Sequence, residues 1–243
     1  MRLPLRDFWR AMLIGVLGVA PSNYFYYLAI QKTNVATAII LQYTAPVWVL
    51  LYMVARRLQR ATLQRVISIG IALLGTALVI NLFSGGGLRL NRVGVIAALL
   101  ASLSFACYNV FGGQLVRQHG RWLALVYVLL GAATTWLVIN PPWRVAVAHY
   151  SGKQWAFLGI FAVTSVLLPF SLYFSGLHHL DPTRAIVTSC LEPVFSIGLT
   201  ALVLGEWVGR IQVMGMVLVL AATIMVQMPE KRGEHRLVVE PME

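Results

Sequence analysis

Residues 24–47 read YFYYLAIQKTNVATAIILQYTAPV, and residues 171–196 read SLYFSGLHHLDPTRAIVTSCLEPVFS. Each holds an apolar run, a short polar break, and a second apolar run interrupted by a proline. At an offset of 147 residues, Tyr26 falls on Tyr173, Ala38-Ile39 on Ala185-Ile186, and Pro46-Val47 on Pro193-Val194. Downstream, Val66, Leu73, Thr76 and Val79 fall on Val213, Leu220, Thr223 and Val226. The paired prolines and matched run lengths carry more weight than the nine identities across 25–79, because apolar sequences match one another by chance. The chain contains an internal repeat, and its meaning depends on what the apolar runs are.

Composition answers that. Of 243 residues 59% are apolar and 11% charged, where a soluble domain carries about 25% charged residues. Mean hydropathy is +0.77. A hydrocarbon core about 30 Å thick needs roughly 20 apolar residues per helix. Eight stretches qualify, near 11–30, 35–55, 66–83, 93–115, 122–140, 155–177, 184–204 and 209–228, joined by short polar or turn-forming links. The expected fold is all-α: a polytopic membrane helix bundle of eight transmembrane helices with a polar tail, PEKRGEHRLVVEPME, from Pro229. The first stretch has the outline of a signal peptide, with Gly18 and Ala20 small enough for cleavage. Seven further spans make a cleaved leader unnecessary, and Pro21 follows directly.

The net charge of +11 suggests nucleic acid in a soluble protein, but here it follows from topology. With the N-terminus in the cytoplasm, thirteen Lys and Arg fall inside and six outside, the asymmetry that cytoplasmic cation excess predicts. Both termini are therefore expected in the cytoplasm, in a cell inner membrane, with no nucleic-acid partner. Cys107 and Cys190 lie in apolar runs and form no disulfide framework.

The repeat offset covers five spans, so the two copies cross the membrane in opposite senses. Inverted repeats are a hallmark of secondary transporters, with the substrate site near the midplane where the copies meet. The expected division is 1–83, an incomplete first repeat of three spans; 84–228, a second repeat of five; and 229–243, a polar cytoplasmic tail. Three plus five predicts that two N-terminal spans are missing; the alternative is a complete chain with degenerate symmetry.

With these two runs, Gly205-Glu206 and the Gly-spaced helix from Ile211, the chain resembles the drug/metabolite transporter superfamily, specifically its EamA-type permeases of five plus five helices. It departs from them at Leu58-Gln59, where the family often has Gly-Glu. The resemblance implies ATP-independent export or uptake of small metabolites, often amino acids or related compounds, and begins at the family's third helix.

Glu192 is the one Asp, Glu, Lys, Arg or His near the middle of any of these spans. Intramembrane carboxylates are costly and generally face a bundle interior or wet cavity. Thr188, Glu192, Ser196 and Thr200 recur every four residues, with Ser189 adjacent, predicting a polar inner stripe; Leu191, Val194, Phe195 and Leu199 cover much of the rest. Pro193 frees the carbonyl of Ser189, and Pro46 that of Gln42. The substrate pathway is therefore assigned to Glu192, Ser189, Thr188, Ser196, Gln42, Tyr43, Asn109 and Tyr108, with Pro46 and Pro193 as hinges. Glu192 is read as a proton carrier or cation partner, against the reading that it is a protonated, hydrogen-bonded packing group.

Gly94, Ala98, Ser102 and Ala106 form a small-residue face suited to close helix contact. Asn23, Tyr24, Tyr26 and Tyr27 read as an interfacial belt or as substrate contacts, the belt being favoured, and Trp136, Trp143 and Trp155 as interfacial. His178, His179 and Asp181 invite an enzymatic reading, but Asp181 precedes a helix as Asn34 does in the first repeat, which suits an N-cap. No metal site, cofactor or nucleotide motif is expected. The chain reads as a permease for a small polar solute in a lipid bilayer, with homo- or hetero-oligomerisation left open. The alternatives are a truncated non-transporting partner or regulator and, behind it, a membrane-embedded enzyme.

Overall fold

The computed structural model describes residues 3–82, 90–147, 149–205 and 207–229, with Ala146 by its backbone alone. Glu206 and all but Pro229 of the expected tail lie outside the described residues. Every regular element among those described is helical: α1 Leu5–Lys32, α2 Val35–Ala55, α3 Leu63–Val79, α4 Arg92–His119, α5 Arg121–Ile139, α6 Pro142–Val147, α7 Gly152–His179, α8 Pro182–Leu204 and α9 Arg210–Gln227. Seven are long and apolar enough to cross a membrane; α3, the remaining expected span, is a shorter apolar helix of 17 residues.

Side-chain caps set several boundaries. Asn34 and Asp181, repeat partners, accept from the backbone N–H of Thr37 (2.7 Å) and Arg184 (2.9 Å), satisfying first-turn donors that have no intrahelical acceptor. Ser151 and Gln154 form a capping box that starts α7 three residues earlier than the apolar run. Helix α1 likewise begins before its apolar stretch, with Asp7 in its first turn paired to Arg10 at 3.2 Å.

The repeat recurs in local geometry. α1 contains a π turn at Gly15–Val19 and α7 one at Val163–Leu167, one residue off the 147-residue offset. α3 and α9 run antiparallel: Gln64 Nε2, near the start of α3, donates to the Met225 carbonyl at 2.6 Å, and Gln212 Nε2, near the start of α9, to the Val79 carbonyl at 3.2 Å. Each helix receives the kind of contact it makes, as a two-fold relation requires. Their backbones meet at Gly75 and Gly215, where a Cβ on Gly215 would sit 2.7 Å from the Gly75 oxygen.

α4 is a central strut. Its small-residue face (Gly94, Ala98, Ser102, Ala106) is buried throughout, and the Ser102 hydroxyl lies 2.9 Å from that of Thr44 on α2. At the other extreme, every residue from Ser151 to Pro169 is exposed, as are Phe195, Ser196, Leu199 and Leu202 on the second half of α8. In lipid such apolar exposure carries no penalty, since the acyl chains are as apolar as the side chains.

Candidate substrate site

Two spans are broken, at the same repeat position. α2 consists of Val35–Gln42 and Ala45–Ala55, interrupted at Tyr43-Thr44; α8 consists of Pro182–Ser189 and Glu192–Leu204, interrupted at Cys190-Leu191. Pro46 and Pro193 lie in the first turn of the second halves, where a missing N–H is tolerated. Without those N–H groups the carbonyls of Gln42 and Ser189 lack their i+4 donors.

The breaks are joined by a side-chain hydrogen bond. Tyr43, almost fully buried, donates its hydroxyl to Glu192 Oε2 at 2.8 Å. Glu192 stands midway along α8 and begins a half-helix, whose N-terminal N–H groups offer partial positive charge to a carboxylate. Tyr26 and Tyr108 stand within electrostatic reach of the same carboxylate. Beside them, Asn109 Nδ2 donates to the Tyr173 hydroxyl; Ser189 stands near that hydroxyl, its own donating to the Ala185 carbonyl at 3.2 Å. Tyr173 packs edge-on to Tyr108, with ring centroids 5.9 Å apart. Asn109 Oδ1 is buried and has no hydrogen-bond partner among the described residues.

Of the residues assigned from sequence, the structure thus gathers Glu192, Tyr43, Ser189, Asn109 and Tyr108, with Gln42, half-buried, at the end of the first half of α2. It does not gather the predicted stripe. The break at Cys190-Leu191 interrupts the four-residue period that put Thr188 and Glu192 on one face. Thr188 is engaged elsewhere, accepting from Gln227 Nε2 on α9 at 3.1 Å and donating to the Arg184 carbonyl at 2.8 Å. Glu192 and Ser196 are exposed among the described residues, and Pro193, Val194 and Ile197 face the packed side instead.

Tyr173, which sequence reasoning did not assign, and Tyr26, for which it favoured an interfacial belt over a substrate contact, join this candidate cluster. The signal was present, because Tyr26 and Tyr173 are identical partners in the repeat. The belt reading suits Tyr24 and Tyr27, which are exposed, but not the half-buried Tyr26. His178 and His179 sit exposed at the end of α7, and Asp181 is committed to α8: one oxygen caps the helix and the other lies 3.3 Å from Arg184 Nε.

Discontinuous spans meeting at mid-depth around a carboxylate define the class: a multi-pass helical transporter. The sequence profile of the EamA-like transporter family matches residues 1–81 and 92–228, and the chain belongs to that family. It is 24% identical over 235 residues to the uncharacterized inner membrane transporter YicL of Salmonella typhimurium, covering 93% of this chain and 75% of that protein. It is 28% identical over 230 residues to the threonine/homoserine exporter RhtA of the same species, covering 92% and 70%. A solved crystal structure shares the fold with a TM-score of 0.73 at 19% identity, over 93% of this chain and 76% of that one. YicL and RhtA are named as transporters rather than enzymes, and the chain is a multi-pass inner-membrane protein of a transporter family.

Proposed function

We propose that the chain is a permease moving a small polar metabolite, an amino acid or related compound, by alternating access with proton coupling through Glu192. The carrying observation is the Tyr43–Glu192 hydrogen bond, which ties together two helix breaks at equivalent repeat positions. A substrate ammonium or a proton competes with the Tyr43 hydroxyl for this carboxylate, so occupancy of the site is linked to how the two half-helix pairs hold together. The exporter RhtA among the relatives supports an amino-acid substrate. In this reading residues 1–83 and 84–228 are the two inverted units, both termini face the cytoplasm, and Pro46 and Pro193 are the hinges.

The test is flux of L-threonine and L-homoserine into liposomes carrying the purified protein, with and without a pH gradient. Flux above protein-free liposomes that responds to the gradient is expected; flux indifferent to the gradient removes the coupling, and no flux of any amino acid removes the substrate class. Tyr43→Phe is expected to slow transport about tenfold, the worth of one charge-assisted hydrogen bond, while keeping the pH response because the carboxylate remains. An unaltered rate would show that the bond plays no part in the cycle. Pro46→Ala with Pro193→Ala restores two backbone N–H groups and is expected to lower flux about thirtyfold, from about 1 kcal/mol per regained helical bond, without loss of thermal stability. Wild-type flux in the double variant would rule out the hinges.

The exposure of Glu192 and of α7 favours a second reading, in which helices of another membrane protein complete the site. Co-purification of a short membrane protein, required for flux, would support it.

A further inference from the structure

At the end of the bundle where α1, α2, α4 and the α7–α8 junction converge lies a cavity of about 650 Å³. Its wall does not include Glu192, so it is distinct from the site above. Most of the lining is apolar, including Leu17, Met53 and Phe111. Its charge is predominantly positive, from Arg10, Arg56 and Arg117 against one carboxylate, Asp181.

Cation excess at a cytoplasmic end is expected from topology alone, so charge by itself assigns no ligand. Two particulars go further. Arg10 is paired with Asp7 and Asp181 is held by Arg184; Arg117 feels the Asp181 charge from a distance but reaches no carboxylate within ion-pair distance among the described residues. Its guanidinium instead folds back along α4, with Nη1 3.7 Å from where a Cβ on Gly113 would lie. Second, Gln59 lines the cavity while only 6% exposed. Its Oε1 accepts from the Thr183 hydroxyl at 2.7 Å, which orients the amide, and its Nε2 has no hydrogen-bond partner among the described residues. A buried donor left unmade costs about 1–3 kcal/mol, a cost that an acceptor reaching Nε2 from the cavity would offset.

We infer that this cavity binds the carboxylate of a small organic or amino acid, with Arg117 as counter-charge and Gln59 Nε2 as directional donor. The apolar wall accommodates the body of the solute. The inference rests on the permease reading only for calling that ligand the transported solute.

Cys107 supplies a readout without transport. It lines the cavity and is half-buried, whereas Cys190, the other cysteine, is fully buried. Alkylation of the purified protein by N-ethylmaleimide, followed by mass, therefore reports access to the cavity, and Cys107→Ala abolishes the signal. The probes are acetate, 4-methylpentanoate, L-threonine and L-leucine, with the methyl esters of the last two, inorganic phosphate, and micelles doped with phosphatidylglycerol. At least one free acid is expected to slow alkylation, about tenfold at ten times its Kd from simple occupancy, while its ester does not. Arg117→Gln is expected to raise the protecting concentration about tenfold or more, Arg117→Lys less, and Gln59→Leu several-fold.

The inference fails if no acid protects, if esters protect equally, if phosphate or the anionic lipid protects as well as the acids, or if Arg117→Gln changes nothing. Should Cys107 alkylate too slowly, Gln118→Cys in a Cys107→Ser background, also on the cavity wall, carries the same measurement. Acid-specific protection without flux keeps this site and removes the permease reading; flux without protection does the reverse.

Discussion

Replacing Glu192 with glutamine is expected to lower flux roughly thirty- to hundredfold and to remove its dependence on a pH gradient. Glutamine keeps the length of the side chain and still accepts from the Tyr43 hydroxyl, so the link between the two helix breaks survives. What is lost is the charge and the exchangeable proton. A hydrogen bond to a charged group is worth about 1.5–3 kcal/mol, which sets the scale of the loss for a substrate ammonium. Glu192→Asp, which keeps the charge but withdraws it from Tyr43, is expected to fall between the two. Thr188→Val serves as the comparison: its hydroxyl is bonded to Gln227 on α9, so its loss perturbs packing and leaves the gradient response intact. Flux measured across a pH series decides. A Glu192→Gln protein with the wild-type profile would assign the carboxylate to packing.

The second large effect is on folding, at the crossing of α1 and α5. A Cβ on Gly15 would lie 2.1 Å from the Val128 carbonyl oxygen and 2.6 Å from the Ala132 nitrogen. One on Gly131 would lie 2.4 Å from the Met12 carbonyl oxygen and 2.9 Å from the Met12 Cα. These neighbours are backbone atoms, which cannot rotate aside, so a single methyl group forces the helices apart. Ala11, Ile14, Leu125 and Val128 of the adjoining core lose contact when that happens. Overpacking of this kind costs about 1–3 kcal/mol and more when backbones must move, so Gly15→Ala and Gly131→Ala are each expected to cost about 3 kcal/mol or more. Gly70→Ala is the control: nothing lies within 4 Å of its Cβ, and helix propensity makes alanine better by about 1 kcal/mol. Thermal unfolding of the detergent-solubilised proteins would show Gly15→Ala and Gly131→Ala well below wild type and Gly70→Ala at or above it. Equal stabilities would mean that α1 and α5 do not cross this closely.

Much of the architecture is legible in the residues, because its causes are local. A membrane core leaves backbone groups no partner but their own helix, so apolar run length placed the long helices, though not the short α6, which falls in a stretch read as a link. Caps read from single residues, as at Asn34 and Asp181, and the prolines at 46 and 193 mark where two spans restart. The repeat identified which positions correspond, and the breaks at Tyr43-Thr44 and Cys190-Leu191 fall on one another at the same offset.

Which residues meet was decided by tertiary structure. The four-residue period from Thr188 to Thr200 assumed one unbroken helix, and the break turned Thr188 to Gln227 while Glu192 met Tyr43. Tyr26 and Tyr24, two residues apart on one helix, differ in surroundings, half-buried against exposed, in a way no local pattern separates. The reason is physical: in lipid an apolar side chain gains nothing by facing its neighbour rather than the bilayer, so hydropathy does not say which face packs. Facing is set by shape and hydrogen bonding, as where Gly15 admits α5 or Asn109 reaches Tyr173. By itself the sequence determined a helical, membrane-spanning chain with an internal repeat and a lone mid-span carboxylate; only the packed bundle decided that this carboxylate is shared with Tyr43, and which aromatic rings stand around it.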